Sequence, residues 1–365
     1  MIKSDRLWAL IPCNVLILLF LVNPGLISAQ EKIALSERVQ THNQHRQEIL
    51  NNMQKVMGKL PARPSLHASD IHIVDSLKEA DFTRYNILFT VAKGEVLPVY
   101  LYIPYQKGTP KRLPAMLVLH ETDPLGRKAV DGQGNKANRS HARELAQRGY
   151  VVIAPDFPSF GDSENYDFDK DRYESGTMKG IFNHMRCIDL LQSRADVDPD
   201  NIGVIGHSLG GHNSIFVAAF DSRIKVTVSS CGWTQLDYYS IGKDAEKKYG
   251  GRLGPWAQTR YMPLLGTKFN LENNRIPLDF DQMISAIAPR AFFSVSPIRD
   301  ANFDYKGVEA GIALVEPVYR SLNASEKLQV RYPDAEHDFP VENRKEAYAF
   351  IDRILGLTPR YTEFK

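Results

Sequence analysis

A serine set between two glycines, where a strand passes into a helix, constrains this chain more than any other feature. Residues 203–212 read G-V-I-G-H-S-L-G-G-H, so Ser208 is the centre of a G-x-S-x-G element. A run rich in β-branched residues precedes it, and residues 212–220 follow with a helix-like pattern. This context forces the serine onto a tight turn with its hydroxyl exposed, and glycines leave room where strand and helix pack closely. Ser208 is the predicted nucleophile; the alternative is a glycine-rich turn with an unreactive serine.

Other segments extend this pattern into a family resemblance. They read L-V-L-H-E-T-D, V-V-I-A-P-D-F-P-S-F-G, S-P-I-R-D and P-D-A-E-H-D-F. With them, the chain from about Tyr85 to Leu355 resembles the α/β-hydrolase superfamily, in the branch of dienelactone-hydrolase-like proteins, acetyl xylan esterases and prolyl-oligopeptidase-like hydrolases. The resemblance implies an α/β fold with a mostly parallel sheet, helices on both faces and a lid insertion. Dienelactone hydrolases carry a cysteine nucleophile, so Ser208 favours cleavage of ordinary esters or amides over lactones.

The general base follows by elimination among the histidines. In α/β-hydrolases the triad runs Ser, then Asp or Glu, then His along the chain. Two histidines follow Ser208. His212 lies on the first turn of the helix that Ser208 begins, so it cannot face the hydroxyl from across the cleft. His337 lies in a loop after an alternating strand, residues 328–332, and is the predicted base; the alternative is a surface-loop histidine.

The triad carboxylate is expected in the loop after the preceding strand. That strand spans residues 290–297, and the loop after it reads I-R-D-A-N-F-D. Asp300 is preferred because it lies closer to the strand end, and Asp304 is the alternative, either as a solvated acid or as a helix cap. The acid would hold the imidazole tautomer and stabilise the imidazolium without taking the proton.

The oxyanion hole needs two backbone N–H donors. The N–H of Leu209, the residue after the nucleophile, is the first. The second is expected after the strand at 114–119, where H-E-T-D follows. Many relatives have His-Gly at this point, which would make Thr122 the donor, but Glu121 stands where the glycine is usual. Thr122 and Glu121 therefore both remain candidates, and His120 is interpreted as a residue that braces the loop.

The first 29 residues are predicted to be a secretory signal peptide. Lys3 and Arg6 precede an apolar run at 7–22, and Ala29 offers a small residue before a cut at Gln30. The alternative is a retained anchor, but the apolar run falls short of the roughly 20 residues that a span requires. We therefore expect a secreted or periplasmic protein with no stable membrane insertion after cleavage.

Charge and cysteine usage exclude some classes of partner. The net charge of +2 gives no electrostatic case for binding nucleic acid. After cleavage two cysteines remain, Cys187 and Cys231, and two buried free thiols are expected instead of a disulfide. No H-E-x-x-H, Cys/His cluster, G-x-G-x-x-G or P-loop is present, so neither a metal nor another cofactor is predicted.

The remaining chain divides into an N-terminal extension and a catalytic domain. Residues 30–84 are predicted as a helical extension, with a helix over 31–64 that ends at two prolines and buries a stripe including Leu50, Met53 and Val56. Residues 85–357 are predicted as the catalytic domain, because strands and helices alternate there.

A lid is predicted within the catalytic domain at residues 232–288. This insertion is longer than a simple crossover needs and is rich in aromatic residues and turns. Trp233 and Trp256 are candidates for stacking on sugar rings or acyl groups, and Arg260 for pairing with a substrate carboxylate. Trp256 and Arg260 are four residues apart, as on one helical turn. The alternative is that these residues pack the lid onto the sheet.

The sequence therefore predicts a secreted serine hydrolase of carboxylic esters that acts through an acyl-enzyme. A small-molecule or polysaccharide ester is the expected substrate, with polysaccharide-linked acyl groups favoured by export and the aromatic lid. A serine peptidase of the prolyl-oligopeptidase-like type is the first alternative, although the propeller-sized domain of those relatives is missing. A non-catalytic binding member of the fold is the second.

Overall fold

The structure is a computed structural model that describes residues 29–106 and 108–361. Within these residues it contains a single nine-stranded sheet. The strands are β1 (Ile71–Lys78), β2 (Phe82–Ala92), β3 (Glu95–Pro104), β4 (Leu113–Leu119), β5 (Val151–Pro155), β6 (Val197–His207), β7 (Ile224–Ser230), β8 (Ala291–Val295) and β9 (Leu328–Arg331).

One helix, α1 (Ala29–Met57), precedes the sheet, and the other helices lie between or after the strands from β4 onward. These are α2 (Arg127–Val130), α3 (His141–Arg148), α4 (Gly176–Ser193), α5 (Leu209–Phe220), α6 (Lys243–Tyr249), α7 (Leu264–Thr267), α8 (Phe280–Ser285), α9 (Tyr305–Ser321) and α10 (Val341–Leu355). Three of them, α6 to α8, belong to the predicted lid.

The sheet order is β1-β2-β3-β5-β4-β6-β7-β8-β9. The six strands from β5 to β9 in this order are parallel, and β1 to β3 add an antiparallel edge beside β5. All residues of β4, β5 and β8 are buried. Strands covered on both faces must be apolar throughout, which is why these segments read as continuous apolar runs. The α/β fold with a mostly parallel sheet is confirmed.

Two hydrophobic cores cover the two faces of the sheet. The larger core contains apolar residues of α1, α4, α5, α9 and the lid. The smaller core lies on the other face and contains residues of α3 and α10. The carboxyl ends of the parallel strands meet at one edge between these layers, and side chains on the loops there converge.

The N-terminal extension is only partly helical, which corrects the prediction for residues 30–84. Helix α1 ends at Met57, because Gly58 adopts a left-handed conformation with φ of +94° that stops the helix before the prolines. Residues 71–78 form the edge strand β1, which pairs antiparallel with β2. Of the predicted stripe, Leu50, Met53 and Val56 are buried as expected.

Helix α1 is fastened to backbone carbonyls late in the chain. His42 Nε2 donates to Ala288 O at 2.9 Å, and Arg38 Nε donates to Ser321 O at 2.7 Å. The Arg46 guanidinium donates to the carbonyls of Ala219 and Ala286. These bonds join polar side chains of the helix to carbonyl groups that would otherwise need other partners.

The predicted signal segment lies, apart from Ala29, outside the described residues. Among the residues that are described, no helix is long and apolar enough to cross a bilayer. Cys187 in α4 and Cys231 just after β7 are both buried free thiols, as predicted.

Candidate active site

Ser208 occupies a strained turn between β6 and α5. Its φ of +54° and ψ of −117° lie outside the regions that side chains normally adopt. A Cβ at Gly206 would overlap the backbone of Gly210, and one at Gly210 would overlap the carbonyl of Leu119. The two glycines are therefore required by the close approach of the helix to β4 and β6, as the sequence motif indicated.

His337 and Asp300 complete a hydrogen-bonded relay to this serine. Ser208 Oγ lies 2.9 Å from His337 Nε2, and His337 Nδ1 lies 2.9 Å from both carboxylate oxygens of Asp300. The buried carboxylate also accepts the backbone N–H groups of Asn302 at 2.8 Å and Phe303 at 3.2 Å. An Nδ1–H directed at Asp300 leaves Nε2 as an acceptor for the serine proton, which is the tautomer that a general base needs.

Asp304, the alternative acid, has a different role in the structure. Its side chain accepts the backbone N–H of Lys306 at 2.9 Å and caps the N-terminus of α9. A carboxylate at this position satisfies a free helical N–H and interacts favourably with the helix dipole. Of the two predicted candidates, the structure brings Asp300 to the histidine.

Thr122 and Leu209 line the same cavity as Ser208, whereas Glu121 is not among its described lining residues. Glu121 is buried and turned into the protein, with its carboxylate beside Arg139 and its carbonyl accepting the Nδ1–H of His120 at 2.6 Å. His120 Nε2 accepts the Phe157 N–H at 2.9 Å, so this histidine braces the loop as predicted. Thr122 and Leu209 are therefore the better-placed pair for the oxyanion donors.

A partly buried ionic cluster, which the sequence did not predict, joins the loop after β4 to the loop that carries His337. Arg139 Nε donates to Glu121 Oε1 at 3.1 Å and Nη1 donates to Asp338 Oδ1 at 2.6 Å. Its Nη2 also reaches the carbonyl of His337 at 3.4 Å, and Asn138 Nδ2 donates to Asp338 Oδ2 at 2.7 Å. We name Glu121, Asn138, Arg139 and Asp338 the Arg139 clamp. It ties the oxyanion loop to the loop that carries the base.

Electrostatics favour the charged form of the clamp. Burial alone would raise the pKa of Asp338, but hydrogen bonds from Arg139 and Asn138 outweigh burial and lower it. Lys136 adds an ion pair to Asp123 at 2.9 Å beside the clamp. The one signal in the sequence was Glu121 itself, because an acid in place of a loop glycine needs a buried cation as partner.

Ser208 lines a cavity of about 190 Å³. The lid supplies most of its wall, Asn302 and Phe303 come from the loop that carries Asp300, and Thr122, Ser208, Leu209 and His212 complete it. We name this space the neutral cavity, because none of the described residues that line it is Asp, Glu, Lys or Arg. Its lid residues include Tyr239, Tyr249, Trp256 and Tyr261.

Trp256 lines the neutral cavity, but two other predicted substrate contacts do not. Trp233 is 1% exposed, with its Nε1–H donated to Ser294 Oγ at 3.0 Å and its ring against Phe280, so it is a core residue. Its prediction as a substrate contact is wrong, because the chain bends at Cys231 after β7 and the Trp233 ring packs in the core.

Arg260 is also displaced from its predicted position. Its guanidinium lies 5.3 Å from the centre of the Phe160 ring, outside the cavity lining. The expected helical turn from Trp256 to Arg260 is absent because a 3-10 turn ends at Ala257 and Gln258 is extended. The two side chains therefore do not present themselves to one ligand.

Asn302 and Phe303 line the cavity although the sequence did not predict them as site residues. Both lie in the loop that carries the triad acid Asp300. His212 lines the cavity too, and burial lowers its pKa to about 3, so its ring is neutral. No periodic pattern marks these positions, since each side chain's direction depends on an irregular loop.

A group with metal-ligating atoms overlaps the relay. Cys231 Sγ, a carboxylate oxygen of Asp300 and a ring nitrogen of His337 lie within 4.8 Å of one another in the described part of the chain. Burial and the nearby Asp300 charge raise the pKa of the Cys231 thiol, which keeps it protonated. Its Sγ lies 3.1 Å from the carbonyl of Asp338, so these atoms are engaged in hydrogen bonding with their neighbours.

Comparison with known proteins places the chain among hydrolases. A family model described as "Glucuronyl esterase, fungi" matches residues 163–323. The hydrolase YtaP of Bacillus subtilis (strain 168) is 28% identical over 311 residues, which cover 82% of this chain and 97% of that protein. The carbohydrate esterase MZ0003, from an unknown prokaryotic organism, is 25% identical over 220 residues, covering 55% of this chain and 49% of that protein.

A solved structure agrees in fold. The glucuronoyl esterase from Solibacter usitatus superimposes with a TM-score of 0.62 at 19% identity, covering 84% of this chain and 91% of that one. The predicted α/β-hydrolase superfamily is confirmed, and so is the prediction that the chain is an enzyme of the hydrolase class.

Proposed function

We propose that this chain is a serine hydrolase that cleaves carboxylic esters of carbohydrates through an acyl-enzyme intermediate. The observation that carries the proposal is the unbroken relay from Ser208 Oγ to His337 Nε2 and from His337 Nδ1 to Asp300, each at 2.9 Å, beside the neutral cavity. The aromatic wall of the cavity supports a carbohydrate, because flat rings stack on the apolar faces of sugars. The matching family model and two of the similar proteins are named as glucuronoyl or carbohydrate esterases.

The first half-reaction forms the acyl-enzyme. Ser208 Oγ attacks the ester carbonyl while His337 Nε2 takes its proton, and Asp300 stabilises the imidazolium. The N–H groups of Leu209 and Thr122 would bind the developing oxyanion. The tetrahedral intermediate then expels the alcohol, which receives the proton from His337.

The second half-reaction regenerates the enzyme. Water enters where the alcohol left, His337 removes its proton, and the resulting hydroxide attacks the acyl carbon. Collapse of the second intermediate returns the proton to Ser208 Oγ and releases the acid. Each step uses the same relay and the same oxyanion donors, so one set of contacts serves both halves.

The test combines covalent labelling with a substrate panel. A fluorophosphonate probe is expected to label the wild-type chain and Ser193→Ala, a control at the exposed end of α4, but not Ser208→Ala. Ser208→Ala is also expected to lose hydrolysis of p-nitrophenyl acetate by at least about 10⁴-fold, since triad members act as a unit. Labelling of Ser208→Ala at the wild-type rate would contradict the proposed nucleophile.

The same panel separates ester from peptide cleavage. Acetylated xylosides and methyl esters of glucuronosides are set beside aminoacyl anilides. Hydrolysis of the sugar esters supports the proposal. Turnover of the anilides alone would move the function to a peptidase, and absence of any turnover with intact binding would move it to a binding protein.

We also propose that the protein acts outside the cytoplasm. The basic start, the apolar run at 7–22 and Ala29 support removal of a signal peptide. N-terminal sequencing of native protein from the periplasm or medium is expected to begin at or near Gln30. Recovery of a chain with Met1 intact from a membrane fraction would contradict this.

A further inference from the structure

The neutral cavity carries no compensating charge for an ionic ligand. Burial raises the pKa of Tyr239 and of Tyr261 and lowers that of His212 to about 3, so all three side chains are uncharged near neutral pH. The remaining lining residues in the described chain have no ionisable side chain except Tyr249. The cavity thus differs from sites that bind carboxylates or ammonium groups through an opposite charge.

Charged residues near the cavity are already engaged. Arg260 stacks on Phe160 and interacts with the Tyr261 hydroxyl, and Arg139 is bonded within its clamp. Asp300 accepts two backbone N–H groups and the His337 ring. A charged ligand group entering the cavity would lose hydration without meeting a residue of opposite charge among the described lining residues, which is unfavourable.

The Asn302 side chain is placed to hydrogen-bond an uncharged ligand in the cavity. Its backbone N–H holds Asp300 at 2.8 Å, which fixes its position next to the relay. Its half-buried side chain lines the cavity, and its amide has no hydrogen-bond partner among the described residues. An amide offers two donors and one acceptor, a set that matches a hydroxyl group, which can both accept and donate.

We propose that the neutral cavity selects an uncharged, hydroxyl-bearing part of the ester and that the Asn302 amide is a specificity-determining contact to it. This inference rests on the proposed function and narrows its substrate class to esters without a second ionised group at this position. The enzyme is therefore expected to distinguish substrates by their charge and, independently, by whether they carry hydroxyl groups.

The charge test uses two esters that differ in one group. Methyl acetoxyacetate is neutral, and acetoxyacetate carries a free carboxylate at the same place in the alcohol portion, the portion that carries the hydroxyls in the xyloside test. After correction for their uncatalysed rates, kcat/KM is expected to favour the neutral ester by more than about tenfold. Acetoxyacetate hydrolysed as fast as the neutral ester would overturn the inference, while the proposed ester hydrolysis itself would stand.

The hydroxyl test uses Asn302→Ala. The ratio of kcat/KM for an acetylated methyl xyloside to that for p-nitrophenyl acetate is expected to fall about tenfold, the value of one lost hydrogen bond of ordinary strength. Asn302→Gln, which keeps the amide, should recover part of the ratio. Asn51→Ala, exposed on α1, is the control expected to leave the ratio and the basal activity unchanged.

The pH profile separates recognition from positioning. Asn302→Ala keeps the backbone N–H to Asp300, so the pH dependence of kcat/KM on p-nitrophenyl acetate should stay at the wild-type midpoint. An unchanged substrate ratio, or a loss that is equal on both substrates with a shifted midpoint, would overturn the assignment of Asn302. Failure of the whole ester panel and of the fluorophosphonate label would instead contradict the proposed function.

Discussion

The active site has a charged side, the Arg139 clamp, and an uncharged side, the neutral cavity, and the two are built from different kinds of residue. On the charged side, the clamp joins charged and polar groups that pair with one another, with Arg139 and Glu121 buried. On the other, the neutral cavity is aromatic, has no charged lining residue among those described, and leaves the Asn302 amide unpartnered. The charged side holds catalytic loops in place, and the uncharged side is open to a ligand. In this active site, charged residues hold the catalytic loops in position, and uncharged residues are left to contact the ligand.

The largest effect on kcat is expected for a change of the triad acid, Asp300. Asp300→Asn should lower kcat on the order of 10⁴-fold, because the amide favours the wrong imidazole tautomer. Asp304→Asn is the matched control and should change kcat little, because Asp304 caps α9. Steady-state kinetics on p-nitrophenyl acetate measure both. A larger loss for Asp304→Asn would return the acid's role to that residue.

The next prediction tests whether the charged side only holds the catalytic loops in position. Arg139→Met should lower kcat by about 10- to 100-fold with KM nearly unchanged, since a 1 Å misplacement of a base can cost that much. It should also lower the melting temperature, because Glu121 and Asp338 lose their buried partner. Arg139→Lys should retain part of kcat.

The matched control for the clamp is an exposed ion pair. Arg331 pairs with Glu346 on the surface, so Arg331→Met should cost little stability and no activity. If Arg139→Met changed substrate preference instead of kcat, the charged side would take part in substrate recognition. That result would contradict the division of roles between the two sides.

A smaller effect tests the aromatic side. Trp256→Ala should lower kcat/KM for carbohydrate esters by about tenfold more than for p-nitrophenyl acetate, because a small ester has no remote groups to bind. Trp233→Ala removes a ring of the same kind from the core, so it should lower the melting temperature and leave the substrate ratio unchanged. Equal ratios for the two variants would show that Trp256 only holds the lid.

The smallest effect concerns a histidine beside the clamp. His141 is fully buried, packs edge-on against Phe339 at 5.4 Å, and both of its ring nitrogens lack a hydrogen-bond partner among the described residues. Burial, with the nearby Arg344 and Arg139 charges, lowers its pKa well below 6.5. The unfolded state therefore binds a proton below pH 6.5 that the folded state does not, so acidification destabilises the protein by about 1.4 kcal/mol per pH unit at this site.

His141→Phe should remove both the unpartnered nitrogens and this proton linkage. We expect a higher melting temperature at pH 5 and a smaller gain at pH 8, with kcat unchanged. The measurement is thermal unfolding across this pH range. A gain that is the same at both pH values would show that the proton linkage at this residue is absent.

Much of the site was predictable because its signals are local. The strand, the glycines and the helix around Ser208 are adjacent in the sequence, and His337 follows from elimination. The Arg139 clamp joins residues separated by 199 positions, which no local pattern connects. The directions of Trp233 and Arg260 depend on turns within a long insertion. Strand β1 was missed because seven of its eight residues are exposed, so no buried face imposes an alternating pattern.

Helix α1 has a consequence for the order in which the chain folds during synthesis. It leaves the ribosome early, but the carbonyls that its side chains bind are 173 to 283 residues further along. At about 5–20 residues per second, those partners appear between about 10 and 60 s later. Until then these side chains lack their carbonyl partners, and the many polar residues of α1 keep the segment compatible with water. Among the described elements, α1 is thus the first to be synthesised, and it completes these hydrogen bonds only after most of the chain has been made.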